Sequence, residues 1–558
     1  MPRLIRWITW TLGFTLAFSA ILPCAQEGRA RVARDRPAEV FRAAGIVVSD
    51  ATGTPLAQTR VTLVDRDNPR KAPWIITGED GRFEFRRLSA GKYSLQGARR
   101  GYISSAYDQH EQYSTAIIAG AKLDTENLVL RLVPAAMISG RVIDESGEPV
   151  HHATVHLFRQ NRDFGVSRIT VSTSSDTTDY RGKYDFWPLR PGVYYVSAAA
   201  RPWYAVHPPS SPSGGAESSF QSVDPSLDVC YPTTFYQDSN DPNAATPIHI
   251  SGGDHAEIDI HLNPVPALHL LLHVAAAGQN VSLRPTLQNR VFDSLVEATI
   301  DGMRPVSADT YEVSGVPAGR YTVRLRSSTA GEADQVSEMD LSENGQVLNG
   351  SPGEPLGSLT LSVKIAGEEK IPGQLSVALR DAHLQNMGVR QPDRNGEAHF
   401  ESLPAGTYTI SASVPGNRYA VSLISSPASE VSKNSFDLAP GATASLSVLL
   451  TGGLAKVQGF VKRSGQSAPG VMVVLVPTDA KSNIELFRRD QSDSDGSFTL
   501  PDVVPGSYSV IAIENGWDID WSVPSVLARY TAHGQAVTIG PQTKGSVQLP
   551  EPVEVQQR

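Results

Sequence analysis

Along much of this chain apolar residues take every second position. Phe83 and Phe85 flank Glu84, Ile258, Ile260 and Leu262 alternate with Asp259 and His261, and Leu446 and Val448 alternate with serines. A period of two marks a strand, because successive side chains of an extended chain point to opposite faces. Gly (46) and Pro (39) interrupt these runs at short intervals, which predicts many short strands joined by turns. Helical spacing is nearly absent, so the pattern predicts an all-β protein.

One block recurs five times. Its first copy runs Asp80, Gly81, Phe83, Phe85, Leu88, Gly91, Tyr93, Leu95, and its second Asp179, Gly182, Tyr184, Phe186, Leu189, Gly192, Tyr194. The third keeps only the end, Val316, Pro317, Gly319, Tyr321 and Val323. The fourth and fifth centre on Gly396, Phe400, Gly406, Tyr408 and on Gly496, Phe498, Gly506, Tyr508. Asp-Gly or Asn-Gly supplies the positive φ of a tight turn. The alternating residues then send one strand face into a core, and the tyrosine begins the next strand. A second signature opens most copies: Gly45, Val47, Gly53, Pro55 and Ala57; Gly140, Val142, Gly147, Pro149 and Ala153; Gly459, Val461 and Pro469. The fourth copy opens more loosely, through Leu361, Val363, Ile365 and Pro372. This reads as a strand, a turn entered through Pro, and another strand.

The closing tyrosines recur at roughly a domain length. The division that follows is a leader at 1–25, a linker at 26–39, and five units at 40–134, 135–264, 265–350, 351–452 and 453–558.

Together, the Gly-x-Val strand, the Gly-x-Pro hairpin, Asp-x-x-Gly-x-(Phe/Tyr)-x-Phe and Leu-x-Pro-Gly-x-Tyr resemble the carboxypeptidase regulatory-like domain, as found in multi-domain exported bacterial proteins. The resemblance is fullest in the first, second and fifth units. It implies an Ig-like, prealbumin-like β-sandwich of the carbohydrate-binding-like group, repeated about five times after a cleaved signal peptide. The family takes its name from a domain that accompanies a zinc peptidase; the peptidase itself has no counterpart here.

The start of the chain carries the export expectation. Arg3 and Arg6 precede an apolar run from Ile8 to Leu22, and small residues lead to Ala25, as in a signal peptide cut after that residue. A lipid anchor on Cys24 is the alternative. No later run is long enough for a transmembrane helix, so the expected location is the periplasm, the cell surface or outside the cell. Cleavage leaves Cys230 alone, with no disulfide and a buried thiol expected. A net charge of −9 disfavours nucleic acid as a partner.

Catalytic chemistry finds no support. There is no zinc-peptidase motif, no Gly-x-Ser-x-Gly elbow and no phosphate loop, so no enzyme activity, cofactor or metal is expected. His269 and His273 share a strand face but sit too far apart for one ion. His151, His152 and His156 read as solvated. Asp493 to Ser497 resembles the start of a calcium loop but coincides with the repeated turn and lacks the downstream Glu.

Binding remains. A Pro/Ser/Gly-rich insertion in the second unit carries Trp203, Tyr204, Tyr231, Phe235 and Tyr236, and the fifth unit offers Trp517 and Trp521 around Asp518 and Asp520. Aromatic faces on loops suit sugar rings; the bland alternative is that they cover sandwich ends or fill joints. The expectation is a non-catalytic protein that binds a glycan or cell-envelope polymer. The alternatives are a rod-like structural or adhesive spacer with protein partners, and an accessory to a separate hydrolase or transporter.

Overall fold

The computed structural model describes residues 40–120, 123–163, 165–208, 224–273, 284–307, 310–326, 335–348, 354–368, 370–382, 386–415, 417–425, 434–480 and 484–558. The leader and linker, with Cys24, lie outside the described residues. The fold is tandem β-sandwiches, as the alternation predicts. Among the described residues one α-helix occurs, Pro524–Thr531, and no helix is long and apolar enough to cross a membrane.

Unit 1 shows how the motif builds a sandwich. Its strands are β1 (Phe41–Ser49), β2 (Arg60–Asp65), β3 (Trp74–Ile76), β4 (Arg82–Leu88), β5 (Gly91–Ala98), β6 (Ser105–Ala106), β7 (Ile117–Ala119) and β8 (Leu128–Leu132). One sheet runs β4-β1-β8, and the other runs β3-β2-β5-β6 with β7 also on β5. Val47, Leu63, Phe83, Phe85, Leu95 and Leu130 fill the space between them. Burying each such side chain contributes about 1.5–3 kcal/mol.

The recurring glycines have a steric cause. At Gly45 β1 lies parallel to β8, and a Cβ there would sit 2.0 Å from the Leu128 carbonyl oxygen. At Gly140 it would meet the Ile258 carbonyl oxygen at 1.8 Å. The turn glycines Gly81, Gly182, Gly396 and Gly496 take φ of 69, 70, 85 and 81°. Each accepts, through its carbonyl, the backbone N–H of the valine two residues beyond the opening glycine or its equivalent: Val47, Val142, Val363 and Val461.

The closing tyrosines do more than begin a strand. Tyr93, Tyr194, Tyr321, Tyr408 and Tyr508 each donate their hydroxyl to the carbonyl of the residue four before, Ser89, Arg190, Pro317, Pro404 and Val504. The bond locks the corner where the chain crosses between sheets. Unit 3, degenerate in its opening, keeps this corner. It also has two sheets around Leu270, Leu287, Val313, Tyr321 and Val323.

Units 4 and 5 differ in closure. The strand Asn417–Ser425 pairs with both Gly406–Val414 and Thr443–Thr451, joining unit 4 into one continuous sheet path. In unit 5 the last strand, Val553–Gln556, pairs with both Ala455–Arg463 and Gly506–Ile513. Each unit has its own core cluster. The strand Glu354–Pro355 pairs back onto Gln335–Leu341 of unit 3 and touches unit 4 through the Gly441 N–H on the Pro355 carbonyl.

The units do not run out as a rod. Unit 5 docks on units 1 and 2, far away in sequence. The Ser494 N–H donates to the Ala116 carbonyl at 2.9 Å, Lys92 pairs with Asp493 at 2.6 Å, and the Arg162 guanidinium donates to the Asp518 carbonyl at 2.6 Å. Alternation within a strand specifies its core face and carries no information about these joints.

Candidate functional site

The seven aromatic candidates separate by burial. Trp203 stands out at 87% exposed. Its ring meets Tyr204 edge-on, with centroids 5.8 Å apart. The Tyr204 hydroxyl donates to one oxygen of Glu145 and the Tyr231 hydroxyl to the other, the latter at 2.8 Å. Burial pushes the Glu145 carboxyl up, but the Tyr204 hydroxyl, its own backbone N–H and the Tyr231 hydroxyl together hold it below its usual range. Burial and then Glu145 push the Tyr204 phenol up to about 12. Tyr231 is buried in the unit 2 core, with Tyr236 packed against that core. Phe235 is buried with Phe158, Val291 and Val296 in a cluster between units 2 and 3, where Phe292 meets Phe158 edge-on at 5.3 Å.

Trp517 and Trp521 lie in joints. The chain leaves the strand Gly506–Ile513 through Asn515 in the left-handed region and forms a 3-10 turn, Gly516–Asp518. Both indoles enter an apolar cluster with Phe487, Leu527 and Tyr530. His110 of unit 1 stacks on Trp517 at 5.0 Å, and Arg489 lies over Trp521 at 4.1 Å while pairing with Glu111 of unit 1 at 2.7 Å. Trp521 also faces Gly165 of unit 2, where a Cβ would come within 2.6 Å of the ring. Asp520 accepts the Ser167 N–H, and the Asp518 carboxylate faces Arg558.

The calcium-like stretch is a turn. The Asp493 carboxylate accepts the Ala116 N–H at 3.0 Å and pairs with Lys92. His151 and His152 stack on each other at the surface, and burial lowers the His156 pKa.

Sequence reasoning missed a polar cluster between units 2 and 3. His207 follows the unit 2 strand Gly192–Ala199. Asp228 caps the 3-10 turn Pro225–Leu227, and His269 lies in the unit 3 strand Leu268–His273. One atom from each falls within 4.8 Å of one from both others. His207 Nδ1 and His269 Nε2 meet the two oxygens of Asp228 at 2.7 and 2.8 Å. On the far sides, His207 Nε2 meets Asp301 at 2.6 Å and His269 Nδ1 meets Glu312 at 2.7 Å. Arg201 pairs with Asp301 at 2.7 Å and Arg304 with Glu312 at 2.7 Å. Glu312 is fully buried. His269 thus finds its neighbours outside its own strand, while His273 is exposed. No spacing rule links positions 207, 228 and 269; only the joint assembles them. Cys230 is buried beside this cluster, as expected of a lone thiol. Burial, with Asp301 and Asp228 adding to it, pushes the thiol up to about 12, which disfavours the thiolate.

Two open grooves lie elsewhere on the surface. One, of about 480 Å³ on unit 1, is lined by Arg60, Thr62, Ser94, Gln96, Gln109 and Gln112. The other, of about 970 Å³ on unit 4, has Lys364, Glu368, Lys370, Asp393 and Arg394 in its wall.

The carboxypeptidase regulatory-like family model matches residues 44–121 and again residues 137–208. These matched stretches, in units 1 and 2, are carboxypeptidase regulatory-like domains. The model of the second β-sandwich domain of BOS complex subunit NOMO1-like proteins matches residues 455–532, in unit 5. Both models describe sandwich modules, and neither is a catalytic family. No curated protein matches the chain. Among solved structures, the Bacillus anthracis TIE protein is 12% identical, over 74% of this chain and 75% of that one, with a TM-score of 0.18. The Streptococcus agalactiae minor pilin GBS52 is 11% identical over 40% of this chain and 97% of that one, with a TM-score of 0.20. The Bacillus cereus major pilin subunit BcpA is 8% identical over 74% and 99%, with a TM-score of 0.14. Similarities of this size carry no argument about function.

Proposed function

We propose that this chain is a non-catalytic exported scaffold, working in the periplasm, at the cell surface or outside the cell through protein contacts. Its carboxypeptidase regulatory-like units dock into one body rather than forming an extended spacer. One observation carries the reading: Phe235, Trp517 and Trp521, the rings best suited to gripping a ligand, are buried between units. The test is small-angle scattering of the mature protein. One compact particle is expected, opening when Arg489→Ala and Trp521→Ala are combined. A string of independent beads in the unaltered chain would overturn the reading.

A second reading, binding of a glycan or envelope polymer, is supported by Trp203. This indole projects into solvent from a turn braced by Tyr204 on Glu145, an apolar face beside hydrogen-bonding groups, as a sugar ring requires. The test is retention on insoluble cell-wall polysaccharide. This reading expects retention that Trp203→Ala abolishes and Trp517→Ala leaves intact. No retention, or retention indifferent to Trp203→Ala, would remove it.

A further inference from the structure

The geometry points to a divalent transition-metal site at the joint between units 2 and 3, with His207, Asp228 and His269 as ligands and zinc as the ion that suits them.

A neutral imidazole carries one N–H, so it can satisfy one carboxylate. Here each of the two rings faces two carboxylates, one at each nitrogen. If the outer nitrogens, His207 Nε2 and His269 Nδ1, donate to Asp301 and Glu312, the inner nitrogens present lone pairs. Those lone pairs, His207 Nδ1 and His269 Nε2, converge on Asp228, whose two oxygens are also acceptors. Three acceptor groups facing one another repel unless something positive sits among them.

The surrounding charges indicate what that is. Asp301 is paired with Arg201, and Glu312 with Arg304, so the outer carboxylates already have cations. Asp228 has only the two imidazoles as side-chain partners among the bonds described. Two neutral nitrogens and one carboxylate with the charge of its own uncompensated fit a dication. Metal-bound histidines commonly donate their far N–H to a carboxylate, which fixes ring and tautomer and raises ligand basicity. Both rings have that arrangement. Nitrogen-rich donors exclude calcium and magnesium, which take oxygen, and favour zinc, held at about 2.0–2.2 Å by His and Asp, with a fourth position for water or the second Asp228 oxygen.

The competing arrangement uses no metal: both rings carry two hydrogens and the cluster is an ion-pair network. Titrating the metal-stripped full-length mature chain with zinc distinguishes the two. We expect one zinc per chain, read by calorimetry and by elemental analysis after dialysis, and a rise in melting temperature with added zinc. His207→Ala, in the loop rather than the unit 3 core, is expected to weaken binding at least a hundredfold while the far-ultraviolet dichroism is retained. Glu312→Gln, which keeps the shape of the outer partner, is expected to weaken it about tenfold to a hundredfold. Absence of binding by the unaltered chain at micromolar zinc would overturn the proposal, since that measurement does not depend on any variant folding. So would zinc binding that persists in both His207→Ala and His269→Gln.

Discussion

The joint between units 2 and 3 and the joint that unit 5 makes with unit 1 are built from opposite materials. Units 2 and 3 are neighbours in sequence and meet through an aromatic cluster flanked by histidines and carboxylates. Units 5 and 1 are separated by most of the chain. They meet through Arg489 among rings, the Lys92–Asp493 pair and a backbone bond from Ser494 to Ala116. At the first joint charge is concentrated in a cluster able to organise around an ion. At the second, each charged group has a fixed partner, and the Gln491 amide bonds the Asp108 carbonyl, the Thr115 hydroxyl and His110 beside the stacked rings. Adjacency along the chain holds the first pair of units together at little entropic cost. The second pair has to close a loop of three intervening units, so its contacts must be individually specific.

The largest effect should come from Glu312→Ala. It would strip His269 and Arg304 of a fully buried carboxylate. A loss of about 3–5 kcal/mol is expected, read as a lower urea midpoint. A loss below about 1 kcal/mol would show that this joint is not organised by its charges. Next is Arg489→Ala, which removes the cation from Trp521 and leaves Glu111 unpaired. About 2 kcal/mol is expected, with a red shift in tryptophan fluorescence as the unit 5–unit 1 joint loosens. Unchanged emission would mean that the joint closes without its arginine.

Gly165→Ala tests the contact of unit 5 with unit 2 alone. The residue has φ of +77° and its Cβ would press on Trp521. A destabilisation of about 1–3 kcal/mol is expected, without the change at unit 1 that Arg489→Ala brings. Tyr194→Phe and Tyr508→Phe compare the corners rather than the joints. Each removes one hydroxyl bond, worth about 1 kcal/mol, and similar losses in units 2 and 5 are expected by calorimetry; a loss in one unit only would show that the shared corner is not equally used.

The smallest effect concerns pH. Burial, opposed by the Thr499 and Gln491 backbone N–H groups, pushes the Asp490 carboxyl up to about 6. A carboxyl raised on folding favours the folded state while protonated. Its contribution is therefore full below the ordinary carboxylate range and is lost as pH rises through about 6. Asp490→Asn should flatten the stability profile between pH 4 and about 6. A profile of unchanged slope would show that another group titrates there.

Much of each unit was legible in the sequence because its cause is local. Gly81 and Gly496 need positive φ for a tight turn, and Phe83 and Phe85 need one face. The repetition itself revealed that one module had been copied. The tyrosine corner left its spacing in the chain, though its hydroxyl bond could not be read from spacing alone. The aromatic candidates were less legible. Trp203 and Trp521 are the same residue type and both lie outside the strands, yet one is in solvent and the other lies under an arginine from its own unit and against a glycine of another.

The repeated β-module was thus written into the chain itself, since strand alternation and turn stereochemistry act over a few residues. The tertiary structure alone decided which rings are covered, and that His207, Asp228 and His269 meet. Those outcomes depend on how finished sandwiches pack together, an interaction between surfaces whose members are scattered along the chain and share no period.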